Sequence, residues 1–463
     1  MTPDAQAPDP IALLRSRSYV QLLLLAAIVG VPVSAVAYGF LELVDALQTG
    51  LFTDLPKELG FESAPMLWPV PLLAVGGLLT ALSIRLLPGT GGHSPADGFK
   101  TGAVTQSIEL PGVFCAALAT LSFGAVLGPE APLIAIGSGL GMLAVRLAAG
   151  DAPDTAGAVI AASGSFAAIA TLMGSPLLGA FLLLEAAGLA GPMVGIVLLP
   201  GLLAAGVGSL IFIGLDHITG LGTFSLTIPD VPEFGDPTVA MFGWALAFGL
   251  VAPFVGHAIR RLALWVRPRV EPRMVLLMPL LGVLVAGLAI VFGEATDKDS
   301  SQVLFSGQNA VGSLVSGAAT WSTGALLLLI VCKGLAYGLC LSSFRGGPIF
   351  PAIFLGAAGG VAAADLPGMS LVPAVAMGMG AMSTVMLGLP LTSTLLAALL
   401  LGTPALNALP LVIVAVVVAY VLNARLSPAP AAPDQAPDQA PEAPSESPEP
   451  ATTRTDPPPG RSR

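Results

Sequence analysis

Charge is scarce in this chain. Only 10% of its 463 residues are Asp, Glu, Lys or Arg, against roughly 25% in soluble domains, which excludes an ordinary water-soluble globule. Cysteine is nearly absent: Cys115, Cys332 and Cys340 all lie in apolar context, read as core filler and give no disulfide framework. Three scattered histidines offer no metal-ligand spacing. No nucleophile is paired with a base, so an enzyme is not expected, and neither a cofactor nor a metal is expected. The net charge of -10 is in good part local to residues 427–463, where six acids stand against three Arg, so no nucleic-acid partner is expected.

What is abundant is apolar. Hydrophobic residues make up 55% of the chain and the mean hydropathy is +0.87. Runs of roughly 20 apolar residues, enough to span a bilayer, include Val20 to Leu43, Pro69 to Leu86, Val194 to Ile213, Met241 to Ala263, Val275 to Val291, Trp321 to Leu339 and Leu409 to Leu422. These predict an all-α, polytopic protein of the cell membrane. Shorter stretches broken by Gly and Pro predict tilted or partial helices. Arg15 and Arg17 precede the first span, and Arg260, Arg261, Arg267, Arg269 and Arg273 crowd one loop between spans, which puts the N-terminus (1–18) and that loop in the cytoplasm. The acidic segment Leu215 to Pro237 suits the outer face. The first ten residues are polar and the first apolar run is too long for a cleaved leader, so no secretory signal is expected. Residues 427–463, rich in Pro, Ala and acid, predict a disordered tail.

Within the membrane portion one phrase is written twice. Gly128-Pro129-Glu130-Ala131-Pro132 is followed by Gly137 and Gly141; Gly347-Pro348-Ile349-Phe350-Pro351 is followed, at the same offset, by Gly356 and Gly360. A second echo pairs Gly174-Ser175-Pro176-Leu177 with Gly388-Leu389-Pro390-Leu391. Two related halves follow, about 19–215 and 237–426. Gly-Pro ends one helix and opens the next, and interrupted hydrophobic segments at corresponding places in two halves point to a transport site. A desolvated anion needs donors without counter-charge, and the N-termini of broken helices supply them. Helices starting near Pro95, Ala131, Pro351 and Leu411 are the candidates.

These residues resemble the CLC chloride channels and proton-coupled chloride antiporters. That family's filter motifs, Gly-Ser-Gly-x-Pro, Gly-Lys/Arg-Glu-Gly-Pro and Gly-x-Phe-x-Pro, correspond in order to Gly91-Gly92-His93-Ser94-Pro95, Gly128-Pro129-Glu130-Ala131-Pro132 and Gly347-Pro348-Ile349-Phe350-Pro351. Leu127 to Gly137, Pro176 to Glu185 and Lys333 to Gly360 add to the likeness. The resemblance implies an inverted repeat of broken, tilted helices, a homodimer with separate pores, and movement of a small anion, chloride in the first place, through a filter gated by Glu130. Protons are then a second partner, and both a channel and a proton-coupled exchanger fit. A cation-coupled transporter of an organic solute is the alternative.

Every motif departs from the family pattern. Gly92 stands where a filter serine is expected, with Ser94 and His93 nearby, and Pro348 has no N–H where the family offers one. Glu185 matches the first of an acidic pair whose proton-transferring second member falls on Ala186; as a helix-end contact Glu185 would be structural. The last helix of the family is expected to be missing. Tyr420 is the sole candidate for its pore tyrosine and lies too early, so no tyrosine hydroxyl is expected at the centre. Cytoplasmic nucleotide-binding modules like those of larger relatives are not expected.

Overall fold

The computed structural model describes residues 14–99, 104–148, 154–188, 192–220, 227–228 and 231–427. Among them every regular element is helical, and the one strand-like pairing is an isolated bridge. The first half contributes α1 (Arg17–Thr49), α2 (Pro69–Leu86), α3 (Leu110–Ser122), α4 (Glu130–Ala148), α5 (Asp154–Met173), α6 (Pro176–Ala186) and α7 (Pro192–Thr219). The second contributes α8 (Val239–Val270), α9 (Met274–Thr296), α10 (Ala310–Ser316), α11 (Thr323–Ser343), α12 (Ile349–Ala363), α13 (Leu371–Leu387), α14 (Pro390–Leu401) and α15 (Leu409–Leu426). Each apolar run named above forms the body of α1, α2, α7, α8, α9, α11 or α15. Eight helical stretches among the described residues are long and apolar enough to cross a membrane. Of the expected tail, 427–463, all but Ser427 lies outside the described residues, as do residues 1–13 of the N-terminus.

The helix ends follow from local chemistry. Ser16, Ser175, Thr238 and Ser322 each accept, through the side-chain oxygen, a backbone N–H in the first turn of α1, α6, α8 and α11. The second echo is a stop and a start: Gly174 and Gly388 take left-handed φ values of 60° and 74° after α5 and α13, and Pro176 and Pro390 then open α6 and α14. Arg260, Arg261, Arg267 and Arg269 are corrected from loop to helix. Arg267 and Arg269 lie in the last turn of α8, where the helix dipole favours cations, Arg260 and Arg261 lie earlier in the same helix, and only Arg273 sits in the short turn before α9. Cys332 and Cys340 are buried, whereas Cys115 is exposed on α3 and is not core filler.

Packing repeats between the halves. Helix α4 packs on α5 as α12 packs on α13; α5 meets α7 as α13 meets α15; α1 lies on α7 as α8 lies on α15. The glycines that follow the doubled phrase explain the tightest of these contacts. A Cβ on Gly137 or Gly164 would overlap the other residue's carbonyl, and the same holds for Gly356 and Gly378. Backbone therefore lies on backbone in both halves, the arrangement that small residues permit between membrane helices. Helices α12 and α13 are buried nearly all round, which places the start of α12 inside the protein.

Candidate anion site

The two copies of the doubled phrase meet. Gly128 N–H donates to Gly347 carbonyl oxygen at 2.8 Å and Gly347 N–H donates to Gly128 carbonyl oxygen at 2.6 Å, which is the isolated bridge of the fold. From this joint α4 begins at Glu130 and α12 at Ile349, so two helix N-termini open from one point. The loops are tied down by their surroundings. Val126 N–H donates to Cys340 Sγ at 3.2 Å, and Arg345 N–H donates to Thr120 Oγ1 at 3.2 Å.

Glu130 is 0% exposed. Its Oε1 accepts from Phe350 N–H at 2.8 Å, so the carboxylate of one copy lies on the helix start of the other. Its Oε2 has no partner among the described residues. A Cβ on Gly128 or Gly347 would overlap the Glu130 carboxylate, so a larger residue at either joint position would push the carboxylate from this place. Proline edits the donors: Pro129, Pro132, Pro348 and Pro351 have no N–H. Each helix start is left with two early amides, those of Glu130 and Ala131 on α4 and those of Ile349 and Phe350 on α12. The carboxylate occupies one of them.

Two cavities flank this joint. The larger, of about 800 Å³, is lined by Pro129 together with Leu127, Leu304, Phe305 and Gln308. The smaller, of about 40 Å³, is lined by Gly91, Gly92, His93, Ala131, Pro132, Arg345 and Gly346, among others. All three sequence motifs, or their immediate neighbours, thus converge on the smaller cavity. Glu130 lies in sequence between Pro129, on the larger cavity, and Ala131 and Pro132, on the smaller.

The remaining expected residues are placed less uniformly. At Pro95 no helix starts; Pro95–Asp97 is a single 3-10 turn that ends at Gly98 with φ of 83°. Three of the four residues from Gly89 to Gly92 are glycine, and all four have positive φ. Gly92 at 86° accordingly suits glycine rather than serine. Ser94 Oγ is buried and unpaired among the described residues, and His93 is exposed. Glu185 accepts from Leu391 N–H at 2.9 Å, Thr392 N–H at 2.7 Å and Thr392 Oγ1 at 2.6 Å, so it caps the start of α14. Tyr420 is 41% exposed on α15 and lines neither cavity.

A tyrosine does reach the second copy of the doubled phrase, from another helix. Tyr337 on α11 is fully buried and donates its hydroxyl to the Pro348 carbonyl at 2.9 Å, a contact the sequence did not suggest. Lys333, one turn earlier, donates to the carbonyls of Gln302 and Leu304 at 2.9 Å, with Val303 and Phe305 at 3.3 Å, and holds the loop that lines the larger cavity. Lys333, Tyr337 and Arg345 are polar or ionisable residues in an apolar stretch. The criterion that singles out Glu130 singles them out too.

The fold and sequence have known counterparts. Residues 76–424 match the family described as Voltage gated chloride channel. The chain is 28% identical over 363 residues to "Putative ion-transport protein YfeO" of Escherichia coli (strain SE11), covering 75% of this chain and 80% of that one. The Shigella boydii serotype 4 (strain Sb227) protein of the same name is 28% identical with the same coverage. Among solved structures, a slow cyanobacterial Cl-/H+ antiporter superposes with a TM-score of 0.71 at 20% identity, over 88% of this chain and 95% of that one. A CLC-type fluoride/proton antiporter gives 0.67 at 20% identity, over 87% and 95%. These likenesses carry the fold. Together with the family match they make this chain a member of the voltage-gated chloride channel (CLC) family, a multi-pass membrane protein of anion transport.

Proposed function

We propose that this protein moves a small monovalent anion, chloride in the first place, between the two cavities, and that Glu130 is the gate. The observation that carries the reading is the Glu130 carboxylate, fully buried and bonded to Phe350 N–H where the two phrases join. A carboxylate there takes the place an anion would take. Ionised, it holds the amide; protonated, it is a weaker acceptor with no charge to hold, and it releases the amide to the anion. Flux therefore rises as pH falls.

Coupling to protons is the finer question. Glu130 can carry one proton, which supports exchange. Ala186 cannot relay it, and Glu185 is engaged by three donors at the start of α14, which supports loose coupling or a passive, acid-opened path. In our reading the N-terminus and the arginine-rich end of α8 face the cytoplasm. In the same reading the smaller cavity faces that side, a placement supported by Arg267 of α8, which pairs with Asp97, two residues after the first motif, at 2.6 Å. The protein works as a homodimer, each subunit with its own path, checked by cross-linking in membranes. Fluoride is the competing anion, because the same donors serve it.

Reconstituted vesicles test the reading. A chloride gradient is expected to dissipate faster at acidic pH, with few or no protons driven uphill. Strict proton movement against a gradient would instead establish an exchanger. Absence of anion flux at every pH, with uptake of an organic solute, would replace the reading with the cation-coupled alternative.

A further inference from the structure

The smaller cavity contains a charge that the motifs do not explain. Arg345 lines it beside Gly91, Gly92, Ala131 and Gly346. Its guanidinium is anchored on one side by carbonyls: Nε donates to Thr90 at 3.2 Å, and Nη1 to Ser343 at 3.1 Å and Phe344 at 3.4 Å. Nη2 has no hydrogen-bond partner among the described residues. Among the described residues no carboxylate lies within ion-pair distance of it; Asp97 and Glu271 attract it from farther off, and both are bonded to Arg267 at 2.6 Å. A half-buried guanidinium whose free N–H edge lines a small cavity, its nearest acids engaged by another arginine, offers both donors and charge to an anion.

The first motif is shaped around this side chain. Thr90 has φ of 49°, which turns its carbonyl onto Nε, and a Cβ on Gly91 would come within 3.3 Å of Arg345 Cγ. Gly91 is thus held small by Ala116 and Ile84 first and by the arginine stem third, whereas Gly92, which stands where the serine is expected, faces Val113. The cavity of about 40 Å³ has room for about three waters, or for one halide-sized ion that keeps part of its hydration, given that roughly 10 to 15 Å³ holds a water.

We propose that Arg345 is a fixed cationic ligand for a small monovalent anion in this cavity, supplying the donors that Gly92 and Pro348 lack. The assignment rests on the anion-transport reading above and adds to it a permanent positive charge at the binding site. Both the spare Nη2 donors and the charge would act on the ion directly, so Arg345 is a binding residue here and Glu130 remains the gate.

Chloride titrated calorimetrically into the purified full chain tests this, with Arg345→Gln and Arg345→Lys alongside and thermal melts of all three. The expected result is binding weakened by about tenfold or more in the Gln variant and largely retained in the Lys variant, while the pH dependence of flux is kept. A folded Gln variant that binds chloride as tightly as the wild type overturns the proposal and leaves anion transport standing. Wild-type protein that neither binds nor moves chloride overturns both. Should the Gln variant fail to fold, bromide-soaked crystals of the wild type decide. An anomalous peak within hydrogen-bond reach of the guanidinium supports the assignment, and bromide bound out of its reach contradicts it.

Discussion

Glu130 derives its behaviour from two things at once, a buried carboxylate and an amide that belongs to the other half of the chain. The sequence made Glu130 conspicuous, as an acid in an apolar run at a helix start, but its partner Phe350 could not be read there, because the contact depends on the two phrases meeting. Tyr337 was hidden for the same reason. A tyrosine eleven positions before Pro348 has no sequence signature of contact with it, and only the course of α11 past the filter brings the hydroxyl to that carbonyl. Tyr337→Phe leaves a buried carbonyl without its donor, so stability is expected to fall by about 1 to 3 kcal/mol. Chemical denaturation in detergent measures the loss; a variant as stable as the wild type would show the bond to be dispensable.

At the scale of helices, two kinds of contact fix the geometry around the site. Gly164 and Gly378 sit where carbonyls of the facing helices leave no space for a Cβ. Gly164→Ala and Gly378→Ala should each destabilise by about 1 to 3 kcal/mol, whereas Gly39→Ala, with nothing within 4 Å of the new atom, should be neutral or stabilise by up to about 1 kcal/mol. Melting temperatures of the three variants check the opposite signs. Glu185 is the second kind. Glu185→Ala removes the acceptor for the first amides of α14 and is expected to cost about 0.5 to 2 kcal/mol without abolishing anion flux. Stability unchanged alongside lost proton movement would assign Glu185 to proton transfer instead. The glycine spacings told where helices could approach closely. They could not tell which helices would, and the expected helix at Pro95 failed because four successive positive-φ residues and Gly98 leave only one turn between them.

At the scale of the molecule, the internal repeat is what the sequence displayed most openly. The phrase at Gly128 and Gly347, the stop-and-start at Gly174 and Gly388, and the apolar runs together imply two halves of broken helices, and the packing of α4 with α5 and of α12 with α13 repeats accordingly. What could not be read is that the repeat closes on itself, with its two glycines hydrogen-bonded to each other. That closure turns a pattern into a site, because it brings the acid of one half onto the amide of the other. The central claim is that this acid gates the path. Anion efflux from vesicles containing wild-type or Glu130→Ala protein, followed across acidic to neutral pH, tests it most directly. Wild-type flux should rise as pH falls, by at most about tenfold per pH unit for a single proton, and the variant should conduct at a rate independent of pH. A Glu130→Ala protein whose flux keeps the wild-type pH dependence would contradict the account.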